Sequence, residues 1–126
     1  MGGTVMPFDL DKTLHIFEMT ESGGIQEVVL RDSQDADQLP LIRSHLEHEA
    51  MRFSSGDFSD PTALHGEGMP GVRELEAGAS RLRVRYSEIP GGAQIVFEAT
   101  DIELITAIHR WFGAQLSDHG SDAAYR

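Results

Sequence analysis

Six histidines are spread along this chain of 126 residues, and two of them stand where helical spacing sets them beside other donors. His45 and Glu49 are four apart, so they share one face of the helix predicted by the pattern around them. His109 falls on the inward stripe of a second predicted helix. Imidazole is the commonest metal ligand and the acid–base group suited to neutral pH. Two imidazoles and a carboxylate suit zinc, or iron or copper where further ligands join. If the two helices pack side by side, His45, Glu49 and His109 converge, and His65, or His119 beside Asp118, completes the set. A divalent metal held there would polarise a small-molecule substrate or activate water; the residues leave open whether there is catalysis.

Two other readings stand beside the metal. Trp111, Phe112, Phe58 and Met69 can line an apolar pocket for a hydrophobic ligand such as haem, with His109 as contact or axial ligand. Alternatively the chain is an interaction domain that forms a homodimer through its sheet, with structural histidines throughout. Each residue also has a plainer reading. An inward histidine is more often a core side chain with one satisfied hydrogen bond. An aromatic pair on a helix is more often core. His48 points to solvent, and His15 sits beside a strand's apolar run. Asp57 and Asp60, in the string GDFSDP, suit turns and caps. The signatures H-E-x-x-H, G-x-S-x-G and the Walker loop are absent.

The formal net charge of -11 disfavours nucleic acid and anionic membrane surfaces as partners. Arg81, Arg83 and Arg85 are a local exception, on or beside one strand; they read either as a solvated face that protects an edge or as an anion site. Without cysteine there is no disulfide, thiolate ligand or cysteine nucleophile, which agrees with a cytoplasmic location. No stretch has the length and apolarity of a membrane span, and the first twelve residues lack the basic-then-apolar pattern of a signal peptide.

The elements that must position these groups come from a repeat. LHIFEMTESGGIQEVV (14–29) aligns without a gap on LRVRYSEIPGGAQIVF (82–97), and each copy runs into an amphipathic helix with a histidine near its middle. Strands are predicted near 13–20, 25–31, 82–87 and 93–99, with glycine-bearing turns between them. Leu39, Ile42, Leu46, Ala50 and Phe53 make the stripe of the first helix, with Pro40 in its first turn. Ile102, Ile105, Ile108, Phe112 and Leu116 make that of the second, started by a Thr100–Glu103 capping box. Between them, Pro61 and Gly71 open short helices, the second closed by Gly78. Phe58 and Leu64 are expected to anchor the stretch from Gly56 to Gly71.

The expected fold is α+β, an internally duplicated ββα–ββα domain over residues 13–120. Its units are 13–55 and 81–120, joined by a linker of short helices at 56–80, with flexible termini at 1–12 and 121–126. A four-stranded, mostly antiparallel sheet is expected, with the two main helices on one face and related by an approximate two-fold.

GDFSDP (56–61), LHG (64–66), MPG (69–71) and HRWFGAQLSDHG (109–120) together resemble a family of small bacterial proteins of uncharacterised function, over about Leu14 to Gly120. The resemblance implies no mechanism. Some of those proteins carry an aspartate carbamoyltransferase label, which these residues do not support: the Ser-Thr-Arg-Thr phosphate loop of that enzyme is absent. The matching segments contain His65, His109 and His119, and the resemblance thereby favours a site.

Overall fold

Alternation of buried and half-buried residues carries straight into the strands of the computed structural model, which describes residues 8–58, 69–119 and 123–125. Strand β1 (Thr13–Thr20) turns through Glu21-Ser22 into β2 (Gly23–Leu30). Strand β3 (Arg83–Ile89) turns through Pro90-Gly91 into β4 (Gly92–Glu98), with Gly91 at φ 74°, a left-handed conformation that favours glycine in a turn. A short strand β5 (Ala123–Tyr125) joins β1 in parallel. The result is one mixed sheet of five strands in the order β3-β4-β2-β1-β5. The chain is thus α+β as expected, but with a fifth strand where the sequence reading has a flexible tail. Three residues are too few for a periodic signal, and a parallel partner lies far away in sequence. The described part of the expected N-terminal arm is held at two points: Phe8 is buried and the Asp9 amide donates to Gln38 Oε1.

Helix α1 (Leu39–Ser54) forms where predicted, with Pro40 in its first turn and Ile42, Leu46, Glu49, Ala50 and Phe53 buried. Arg43 fixes it to the second hairpin, its guanidinium donating to the carbonyls of Ile89 and Gly92 and facing Glu88 at 3.6 Å. Helix α2 (Val72–Ala77) runs between Gly71 and Gly78, as read from the sequence. Helix α3 (Ile102–His119) differs in the face it buries. Its core side is Leu104, Ala107, Ile108, Trp111, Phe112 and Gln115, whereas Ile102 is 73% exposed and Ile105 half-buried. The Ile105 amide bonds the Asp101 carbonyl, so Asp101 rather than Thr100 occupies the N-cap.

Both long helices lie on one face of the sheet. Helix α1 packs over β3 and β4, and α3 over β2 and β1. Phe17, Val28, Ile95 and Phe97 point into the gap and meet Phe53, Phe58, Trp111 and Phe112. Gly24 makes room for this packing: a Cβ there would overlap the Phe112 ring. The burial pattern also corrects the ungapped alignment. That alignment lays Glu21-Ser22 on Ile89-Pro90, one residue off the observed turns, and so matches inward Phe17 with outward Arg85. Superposing the turns matches Phe17 with Tyr86 and Val28 with Phe97, all facing the helices.

Tyr86 lies in this layer under α1, and burial, then the Glu88 and Glu47 carboxylates, raise its phenol above the ordinary value of 10.0, with Arg43 opposing. A raised folded-state pKa stabilises the fold below the ordinary value, and that contribution is lost as pH rises through the folded one. A phenolate absorbance titration in a Tyr125→Phe background should therefore show Tyr86 ionising above the free-tyrosine range, with stability falling over the same alkaline window.

Candidate functional site

His45 and Glu49 do meet on α1. The imidazole Nε2 is 3.4 Å from Glu49 Oε1, and both side chains are more than nine-tenths buried. The pair is close enough for an ion pair when the ring is charged, yet His45 Nε2 makes no hydrogen bond among the described residues. Its neighbour is Phe8, whose ring stands edge-on to His45 at 5.6 Å and tilted against His15 at 5.9 Å. The apolar wedge thus joins the first helix to the start of β1.

His109 lies elsewhere. Its Nε2 is 2.9 Å from the carbonyl oxygen of Thr20, at the far end of β1. A carbonyl can only accept, so this nitrogen carries the proton and donates. His15 and Thr20 are five residues apart, roughly 16 Å along an extended strand. The structure therefore keeps His109 away from the His45–Glu49 pair, and the three-residue convergence is corrected. Helix α3 sits over β1 and β2 while α1 sits over β3 and β4, so the inward faces of the two helices meet different ends of the sheet. Among the described residues no group of three or more His, Asp or Glu side chains is placed to hold a metal ion. His65 and Leu64, with the proposed cap at Asp60-Pro61, lie outside the described residues; His119 closes α3, but its side chain is not among those described. His109→Ala should cost about 0.5–1.5 kcal/mol, the net worth of one hydrogen bond. Urea unfolding checks this, and metal affinity measured by calorimetry should be unchanged by the substitution.

The aromatic set is filled space. Trp111, Phe112 and Phe58 are fully buried and Met69 is 5% exposed. Trp111 meets Phe53, Phe58 and Phe97 edge-on at 5.4, 5.4 and 5.5 Å, and Phe53 stacks on Phe58 at 4.9 Å. These side chains form the core that holds α1, α3 and the segment before α2 together; the pocket expected for a flat ligand is occupied by the protein's own rings. Phe58 is itself buried against Phe53 and Trp111, while most of the stretch it is expected to anchor, 59–68, lies outside the described residues.

Two features were missed by reasoning on single residues. The first is a set of buried polar atoms with no hydrogen bond among the described residues: Gln26 Oε1, Gln115 Nε2 and Trp111 Nε1. Gln26 shows the weakness of the signal, since a strand glutamine reads as outward until the register is known. The second is the other face of the sheet. Leu14, Ile16, Ile25, Val29 and Val96 point away from the helices and none packs against the core. They adjoin one another across three strands: Leu14 opposes Val29, and Ile25 opposes Val96. No described helix lies over them. Polar residues cross the same face in ordered rows, with Ser87, Gln94 and Glu27 in one, where Gln94 Nε2 donates to Ser87 Oγ at 3.0 Å.

The corner beside this face holds a hollow of about 310 Å³ lined by Ser22, Arg81, Arg83, Glu98, Ala99 and Thr100. No helix among the described residues is long and apolar enough to cross a membrane. Comparison with protein-family models, with curated proteins and with solved structures finds no match.

Proposed function

We propose that this protein is a dimerising interaction domain whose contact surface is the helix-free face of its sheet, the occupant being a second copy of the chain. The observation that carries the reading is the patch Leu14, Ile16, Ile25, Val29 and Val96, turned away from the core on adjoining strands. An apolar patch on a folded domain, here crossed by the row of Gln94 and Glu27, marks an interaction surface more often than chance. Charge argues for a like copy. Arg85, Val96, Ile25 and Glu18 form one row across β3, β4, β2 and β1, positive at one end and negative at the other. A two-fold axis along the strands, between two such faces, lays Arg85 of each copy over Glu18 of its mate and apolar on apolar. Arg85 already holds Glu98 at 2.8 Å and remains more than half exposed, leaving donors for a second carboxylate.

Four strands at ~4.8 Å and seven residues at ~3.3 Å span a face of roughly 19 Å by 23 Å. That is small beside a standard interface of ~800 Å² per partner, so the dimer should be of about micromolar affinity. Sedimentation velocity over a concentration series tests it. Val96→Glu puts a carboxylate on the β4 side of the patch, next to Arg85 and opposite Ile25, and should weaken the dimer by about a hundredfold or more with circular dichroism unchanged. A Val96→Glu protein that dimerises like the wild type would refute the interface. Each copy carries a net charge of -11, so added salt should tighten the dimer by screening that repulsion.

A second reading rests on the buried His45–Glu49 pair as part of a divalent-metal site. It predicts metal retained through purification without a histidine tag and lost in His45→Ala. The two hairpin–helix units are, on our reading, copies of one unit: the hairpins correspond when their turns are superposed, and each long helix covers the other unit's hairpin.

A further inference from the structure

Three of the chain's ten basic residues stand within five positions, at 81, 83 and 85. In a protein of net charge -11, such a cluster is where an anion meets local attraction against a repulsive background. The cluster meets the hollow at the corner where β3, β4 and the start of α3 come together. We propose that this hollow binds a phosphate group, presented either as free phosphate or on a small phosphomonoester.

The lining supplies the donors such a group needs. Arg81 and Arg83 provide guanidinium forks, which suit the paired oxygens of a phosphate, and Ser22 and Thr100 provide hydroxyls. The acidic residues nearby are already engaged. Asp101 holds Arg81 at 2.6 Å and Glu98 holds Arg85 at 2.8 Å. Arg83 pairs with no carboxylate among the described residues, so its charge is the one uncommitted to an ion pair in this cluster. The Arg81–Asp101 pair also restrains Arg81, one of the residues that line the hollow. The start of α3 adds to the field: Asp101 is its N-cap, and eighteen residues of helix dipole point their positive end towards this corner. The size, about 310 Å³, is at the lower end of small-molecule sites and leaves room for an organic group beyond the phosphate.

The site does not depend on the dimer. Its residues lie in and beyond the last row of the sheet face, Arg83, Glu98, Gly23 and Thr20, outside the apolar patch. The test is an amide chemical-shift titration of the full chain with inorganic phosphate, with glycerol phosphate, and with chloride at matched ionic strength. Saturable shifts at Ser22, Ala99 and Thr100 are expected with at least one phosphate probe and not with chloride. Tighter binding of glycerol phosphate assigns the ligand as a phosphomonoester; equal or weaker binding assigns it as free phosphate. Arg83→Gln, at an exposed position, should weaken the binding by about tenfold or more, and Val96→Glu should leave it unchanged. Shifts that do not saturate, that chloride reproduces, or that survive Arg83→Gln undiminished overturn the proposal.

Discussion

Trp111→Ala should lower the unfolding free energy by about 3–5 kcal/mol, the cost of emptying a large buried aromatic site. Trp111 is the only tryptophan and is fully buried on α3. It touches Phe53 from α1, Phe58 from the segment after α1, and Phe97 from β4, so one truncation removes packing from three parts of the chain. The three rings stand at 88°, 78° and 89° to it, an edge-to-face geometry that adds roughly 0.5–1.5 kcal/mol per pair beyond burial. Domains of this kind have about 5–15 kcal/mol in all, so the variant should be partly unfolded at 37 °C or close to it. Trp111→Phe keeps most of the apolar volume and removes the buried indole N–H that has no hydrogen bond among the described residues. It should lose much less. Urea unfolding followed by circular dichroism distinguishes the two. Equal losses would mean that the indole's shape, and not the filling of space, is what matters.

Gly71→Ala is the second large effect. Gly71 precedes α2 at φ 87°, where a side chain costs about 1–2 kcal/mol in backbone conformation alone. A Cβ there would also overlap the Ala107 carbonyl oxygen and crowd the Trp111 side chain on α3. The obstacle is helix backbone, which cannot rotate aside, so α2 must lift from α3. The total loss should be on the order of 3 kcal/mol. Gly91→Ala gives the control: φ is 74°, but open space surrounds the Cβ position, so only the conformational part should be lost. A Gly71→Ala loss no larger than that of Gly91→Ala would show that α2 and α3 are not held in close contact.

How far the fold was legible follows from where local signals suffice. The strands, the boundaries of α1 and the glycines bracketing α2 rest on alternation, caps and turn residues, which act over a few positions. The buried face of α3 does not. Apolar residues cover more than half of its circumference, so a stripe through Ile102, Ile105 and Phe112 and one through Leu104, Trp111 and Gln115 both satisfy helical spacing. The contacts with Gly24, Phe17 and Phe97 make the choice, and those are tertiary. The ungapped alignment of the two hairpins is off by one residue for a related reason. The glycine pairs dominate the alignment, yet Gly23 begins a strand while Gly91 is inside a turn. In the site, the His45–Glu49 contact was legible because four residues make a turn of helix, whereas the direction of His109 depended on which hairpin each helix covers.

The sheet-face contact is tested most directly by intermolecular NOEs in a dimer mixed from isotope-labelled and unlabelled chains. The interface predicts NOEs between copies from the methyl groups of Leu14, Ile16, Ile25, Val29 and Val96, absent in Val96→Glu. Intermolecular NOEs that arise only from other surfaces, or a chain that stays monomeric at NMR concentration, would contradict it.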